Sequence, residues 1–230
     1  MQYFILDKVI GTFSARTSMP GRTSRKQDMA GVKEATYKAD ITAGALKVPE
    51  SRVVAGLLLQ KLDAQGWQDA VVRRNVLQAR SPATANRLVK LIRGRLETMG
   101  ADLWKLVRDG KGNVATHAVL ATAVKGSPLL GDFLDLVVRE QHRLFARTLS
   151  NRLWEDYLGG CRERDAEMPL WRDSTRKRLR SSVFQTLAQA GYIDGTRTLR
   201  LQTVHVAQPV LKVLETHDEE YVLRCIQVSP

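Results

Sequence analysis

Apolar side chains recur at the helical period along most of this chain, in stretches bounded by proline, glycine and capping residues. Val54, Leu57, Leu58 and Leu62 stand at i, i+3, i+4 and i+8, one face of an α-helix. Pro49-Glu50-Ser51 opens that helix, with proline tolerated in the first turn and Glu50 favoured by the helix dipole. Gly66 is expected to end it, and a second helix is expected over 67–77. Ser81 followed by Pro82 is an N-cap with proline at N1. The helix it starts is expected to reach Met99, with Gly100 as its C′ residue. Its core face is Leu88, Ile92, Leu96 and Met99, with Arg87, Lys90 and Arg93 on another face. Further helices are expected over 102–108, from Asn113 to Val124, and from Leu129 to about Arg147. In the last of these Phe133, Leu136, Val137 and Leu144 point inward. His117 and His142 in these central helices read as structural.

The last third changes character. Residues 151–157 read as a helix broken by Gly159-Gly160. Asp173 caps a helix over 174–190, closed by Gly191, with Leu179, Val183, Leu187 and Ala190 as its core face. Tyr192-Ile193, the turn pair Asp194-Gly195 and residues 198–204 then read as a β-hairpin. Two short helices flank an acidic turn over 215–220. The expected architecture is mainly α: a helical bundle with two helix-turn-helix or winged-helix-like units and a small β-hairpin wing near the C-terminus. The expected divisions are a flexible extension (1–35), an N-terminal helix-turn-helix-like unit (36–112), central helices (113–150) and a C-terminal winged-helix-like unit (151–230). Residues 1–35 read as a basic arm or as an extension upstream of an alternative start at Met29.

Composition bears on function through charge. The 230 residues carry a formal net charge of +12. Residues 70–96 hold seven basic side chains and no acid, and residues 172–200 hold seven against Asp173 and Asp194. These two segments account for the whole excess. Such concentration points to a polyanion, because each phosphate neutralised releases counterions. The nucleic-acid-binding candidates are Arg73, Arg74, Arg80, Thr84, Asn86, Arg87, Lys90 and Arg93 in the first segment. In the second they are Arg172, Thr175, Arg176, Lys177, Arg180, Arg197 and Arg200. The two basic helices also share a pattern. Thr84-x-x-Arg87-Leu88 precedes Leu96 and Gly100, and Thr175-x-x-Arg178-Leu179 precedes Leu187 and Gly191 at matching offsets. This reads either as a repeated unit presenting a helix N-terminus to phosphate or as what any amphipathic helix ending in glycine supplies.

Other classes find little support. The longest uncharged runs, Gly112 to Val124 and Ser181 to Ile193, have 13 residues each, too few to span a bilayer. Cys161 and Cys225 stand in no metal-binding spacing and suit reduced thiols in a reducing cytoplasm. Asp109-Gly110-Lys111-Gly112-Asn113 lacks the first glycine and the hydroxyl residue of a phosphate-binding loop. There is no HExxH and no Gly-x-Ser-x-Gly, so no catalytic residue, metal or cofactor is expected.

Several stretches together resemble a known family. They are Ile41-Thr42-Ala43-Gly44-Ala45-Leu46 with Pro49-Glu50-Ser51; Arg74-Asn75-Val76-Leu77-Gln78 with Arg80-Ser81 and Thr84-Ala85-Asn86-Arg87; Leu129-Leu130-Gly131-Asp132-Phe133-Leu134; and Trp171 with Ser174-Thr175, ending in Ala190-Gly191. In order and spacing the chain resembles the BrxA proteins of bacteriophage exclusion (BREX) loci over roughly 36–230, and residues 1–35 depart from the resemblance. It implies a non-enzymatic accessory protein of phage defence that binds double-stranded DNA, works in the cytoplasm beside other BREX proteins and contains winged-helix units. The family has also been likened to NusB, which implies an alternative as an RNA-binding or protein-scaffold component. The inner-membrane label sometimes given to the family finds no support in these residues.

Overall fold

The structure, a computed structural model, describes residues 36–41 and 45–229, and the expected arm over 1–35 lies outside the described residues. The chain divides into two units, and the described residues all fall in the second, 34–230. This unit is helical: α1 (Val48–Leu59), α2 (Ala64–Gln68) continuing into a π-helical turn (Asp69–Arg73), α3 (Pro82–Leu96), α4 (Ala101–Asp109) and α5 (Val114–Gly126). Next come α6 (Pro128–Asp132), a π-helical stretch (Phe133–Val138) and α7 (Arg139–Arg143), which follow one another without a break. The chain continues with α8 (Asn151–Arg164), α9 (Asp173–Ala190), α10 (Gln208–Thr216) and α11 (Glu220–Ile226).

Helix α5 is the centre of packing. Its residues 115 and 117–124 are all buried, and α1, α3, α4, α6, α9, α10 and α11 rest on it. A helix apolar on every side has no solvent face to offer, so neighbours must surround it. Its alanines 115, 118, 121 and 123 keep the helix slim enough for that. This is why the uncharged run Gly112 to Val124 exists. Beside it, Phe133 meets Trp154 and Tyr157 edge-on, with ring centroids 5.3 and 5.2 Å apart. Burying such a large apolar side chain contributes about 1.5–3 kcal/mol. A smaller cluster, Leu57, Ala70, Val71 and Ala85, joins α1, the first π turn and α3.

The expected β-hairpin wing is absent. Among the described residues there is no strand, only two isolated antiparallel bridges, Thr148 with Arg200 and Ile193 with Leu201. A two-residue hairpin turn at Asp194-Gly195 would need positive φ at one or both positions, and neither has it. The chain instead makes a wider turn. Its Asp194 carboxylate accepts hydrogen bonds from the Thr198 hydroxyl (2.5 Å) and the Arg200 N–H (3.1 Å). Leu199 sits at φ 54° with its side chain buried, so 198–204 cannot run on as a regular strand.

Several helix ends also differ from expectation. Helix α1 stops at Leu59, and Gly66 lies inside α2, whose N-cap Asp63 accepts the Gly66 N–H at 2.7 Å. Gly100, at φ −89°, is the N-cap of α4 and not a left-handed C′ residue. Gly159-Gly160 does not break α8, because Trp154, Tyr157, Leu158 and Cys161 bury one continuous face. The inward assignments of Leu136 and Leu144 fail: they are 48% and 63% exposed. The π-helical stretch is the reason. A π turn carries an extra residue per turn, so it rotates every later side chain away from the face that a 3.6-residue period projects.

Candidate nucleic-acid interface

Helix α3 begins as its sequence requires. Ser81 Oγ accepts the Thr84 N–H at 3.3 Å and contacts the Thr84 hydroxyl at 3.0 Å, with Pro82 in the first turn. Ile92 and Leu96 are buried, which turns Asn86, Arg87 and Lys90 to solvent. Arg87 and Lys90 have no ion-pair partner among the described residues, and neither has Arg80, just before the cap. Arg93 is engaged twice, with Glu97 at 2.6 Å and over the Trp67 ring at 4.7 Å. Asn86, Trp67 and Arg93 edge a shallow cleft of about 370 Å³. Arg73 and Arg74 both close on Asp69, at 3.3 and 2.8 Å. Exposed pairs of this kind are worth about 0–1 kcal/mol, little enough for a phosphate to compete for the guanidinium.

Helix α9 matches α3 in one respect: Thr84 and Thr175 both occupy the third helical position. The Thr175 N–H bonds the Arg172 carbonyl at 2.9 Å, and α9 has no side-chain cap. The basic residues sort into two groups. Arg176 ion-pairs with Glu155 of α8 and lies 3.7 Å from Asp173, and Arg180 lies 3.6 Å from Glu155. Both are half-buried between α8 and α9. Arg172, Lys177 and Arg178 are exposed and unpaired among the described residues. The repeat ends at the C-termini: Gly191 closes α9 at φ 87°, whereas Gly100 starts another helix. Both helices rest on α5.

Arg197 and Arg200, expected on the wing, are exposed in the turn that replaces it. Arg200 faces a cleft of about 740 Å³ together with Arg147 and Phe145 at the end of α7, and no carboxylate lines it. Phe145 is 91% exposed. His142 lies in the same wall; its Nε2 is buried without a hydrogen-bond partner among the described residues, and burial holds its pKa below the usual histidine value. Sequence reasoning singled out neither Phe145 nor Arg147, since the helix was expected to run on to about Arg147 with Leu144 facing the core. The one available signal was Arg143-Leu144-Phe145-Ala146-Arg147, three apolar residues framed by cations at the foot of a helix.

The two thiols are free and buried, and burial pushes the Cys225 thiol up to about 12. Among the described residues no group of three or more His, Cys, Asp or Glu side chains is placed to hold a metal ion, and no helix is long and apolar enough to cross a membrane.

Comparison with known proteins covers most of the chain. The family model described as BrxA matches residues 35–218. A BREX protein BrxA from Paramagnetospirillum magneticum is 52% identical over 196 residues, 85% of this chain and 98% of the relative. A BREX protein BrxA from Escherichia coli is 30% identical over 214 residues, 93% of this chain and 98% of the relative. A crystal structure of a protein from Magnetospirillum magneticum superposes with a TM-score of 0.79 at 50% identity, covering 84% of this chain and all of the other. Such coverage, over the residues that build α1 to α10 and their basic faces, means that the chain belongs to the BrxA family.

Proposed function

We propose that this protein is a non-enzymatic, cytoplasmic component of a BREX defence system that binds double-stranded DNA through phosphate contacts. The observation that carries this reading is the set of exposed cations without ion-pair partners among the described residues: Arg80, Arg87 and Lys90 by α3, and Arg172, Lys177, Arg197 and Arg200 by α9 and the following turn. They lie in the two segments that hold the chain's net charge of +12. Cations left unpaired cost self-repulsion, and a phosphate backbone relieves it with release of counterions. The names of the BrxA relatives supply the BREX setting.

The test is a titration on two unrelated duplexes over a salt series. Affinity should fall steeply and equally on both with salt. Replacing Arg87 and Lys90 by Ala should weaken both equally and reduce the salt slope by about 0.9 for each phosphate that is no longer neutralised. Unchanged affinity and slope in a folded double variant would refute the assignment of α3. Tighter binding to structured RNA than to duplex DNA would favour the NusB-like alternative. In cells, the protein expressed alone should remain in the supernatant after membranes are sedimented; recovery only in salt-washed membranes would overturn the cytoplasmic placement.

A further inference from the structure

Helices α7, α9 and α10 end in the same way with different left-handed residues, Phe145, Gly191 and Asp218. At the end of α9 the Gly191 N–H bonds the Ala188 carbonyl and the Tyr192 N–H bonds the Leu187 carbonyl, with Gly191 at φ 87°. At the end of α7 the Phe145 N–H bonds the His142 carbonyl (3.0 Å) and the Ala146 N–H bonds the Gln141 carbonyl (2.9 Å), with Phe145 at φ 53°. All three are Schellman caps, in which the left-handed residue is ordinarily glycine. A bulky side chain in that conformation is strained. Burial does not compensate, because the ring is 91% exposed.

The surroundings indicate what the ring is for. It stands at the cleft of about 740 Å³ shared with Arg147 and Arg200, two exposed arginines without ion-pair partners among the described residues, and with the hydroxyls of Thr148 and Thr203. The cleft floor is fixed: the Leu201 N–H bonds the Arg147 carbonyl at 3.0 Å and the Leu149 N–H bonds the Leu199 carbonyl at 2.8 Å. An exposed aromatic side chain and two arginines on one cleft, with no carboxylate in its lining, combine a stacking platform with phosphate ligands. An apolar protein partner would need the ring but not the unpaired cations.

We infer that this cleft is a subsite for an unpaired nucleotide, its base stacked on Phe145 and its phosphates held by Arg147 and Arg200. The inference rests on the proposed nucleic-acid binding and adds a preference for DNA that is locally single-stranded.

The experiment compares a blunt duplex with the same duplex carrying a short single-stranded gap, with 2-aminopurine in the gap. The wild-type protein should prefer the gapped DNA by roughly 5- to 150-fold, the range that stacking one base spans, and should change the probe's fluorescence. Phe145→Gly suits the left-handed site, so the variant stays folded; it should lose both the preference and the fluorescence change while keeping blunt-duplex affinity. Phe145→Leu should lose most of the preference, and Arg147→Ala, a residue outside the duplex-binding set, should weaken gapped binding selectively. Equal wild-type affinity for the two DNAs, or full preference in Phe145→Gly or Phe145→Leu, overturns the subsite while leaving duplex binding through α3 and α9 intact. Binding to neither DNA overturns the nucleic-acid reading itself.

Discussion

His117 shows how one side chain ties distant segments together and makes the fold sensitive to acid. The ring is 2% exposed, and its Nδ1 accepts the Ala207 N–H at 3.0 Å, which assigns the proton to Nε2. Protonation would turn that acceptor into a donor facing another donor. Burial lowers the pKa below the ordinary 6.5, opposed only partly by a hydrogen bond with the Ala190 backbone. A depressed histidine pKa stabilises the fold above the unfolded-state value, and that contribution is lost as pH falls through the lower folded-state value. Melting temperature should therefore drop between pH 7 and pH 5. His117→Gln should flatten the drop, leaving the share due to half-buried His142, at a cost of about 1–3 kcal/mol at neutral pH; an unaltered pH profile would refute the assignment. Gly131 is a steric counterpart. A Cβ there would overlap the Tyr221 hydroxyl, which donates to Asp132 at 2.8 Å beside the Tyr37 hydroxyl at 2.7 Å. Gly131→Ala should destabilise by about 1–3 kcal/mol, and combining it with Tyr221→Phe should cost less than the sum of the two, since the clashing atom is gone.

At the scale of elements, helix α9 presents two kinds of cation on one turn. Arg176 and Arg180 converge on Glu155, whereas Lys177 between them points away unpaired. Removing the carboxylate charge by Glu155→Gln should leave the helix in place, release Arg180, leave Arg176 with only the exposed Asp173 and tighten duplex binding, with a steeper salt dependence. Weaker binding would mean that Glu155 holds the two arginines in their binding geometry. The basic character of α9 was legible from residue types, but the partner was not, because Glu155 is 21 residues from Arg176 and on another helix. The same holds for the helix that runs through the π-helical stretch 133–138. Its apolar face was readable up to Phe133; beyond it the extra residue per turn moved Leu136 and Leu144 outward. No local residue marks that insertion.

Across the whole molecule, the helical class, the caps at Ser81 and Gly191 and the core face of α9 followed from the sequence alone, since period, capping chemistry and the need for a left-handed residue act within a few positions. The concentration of charge and the family resemblance were likewise present in the residues themselves. Tertiary structure decided the rest. Helix α5 became the centre because seven other helices cover it, and a continuous apolar run says only that it must be covered. The expected hairpin became a wide turn because Leu199 is drawn into the core and Asp194 gathers hydrogen bonds from Thr198 and Arg200. The cleft formed by Phe145, Arg147 and Arg200 joins residues more than fifty positions apart, through backbone bonds between 147–149 and 199–201. Local rules fix which stretches are helical and some of their ends, as at Ser81 and Gly191; the other ends, as at Gly100 and Gly159-Gly160, and the meeting of side chains are set by the packing of whole helices, where burial outweighs propensity.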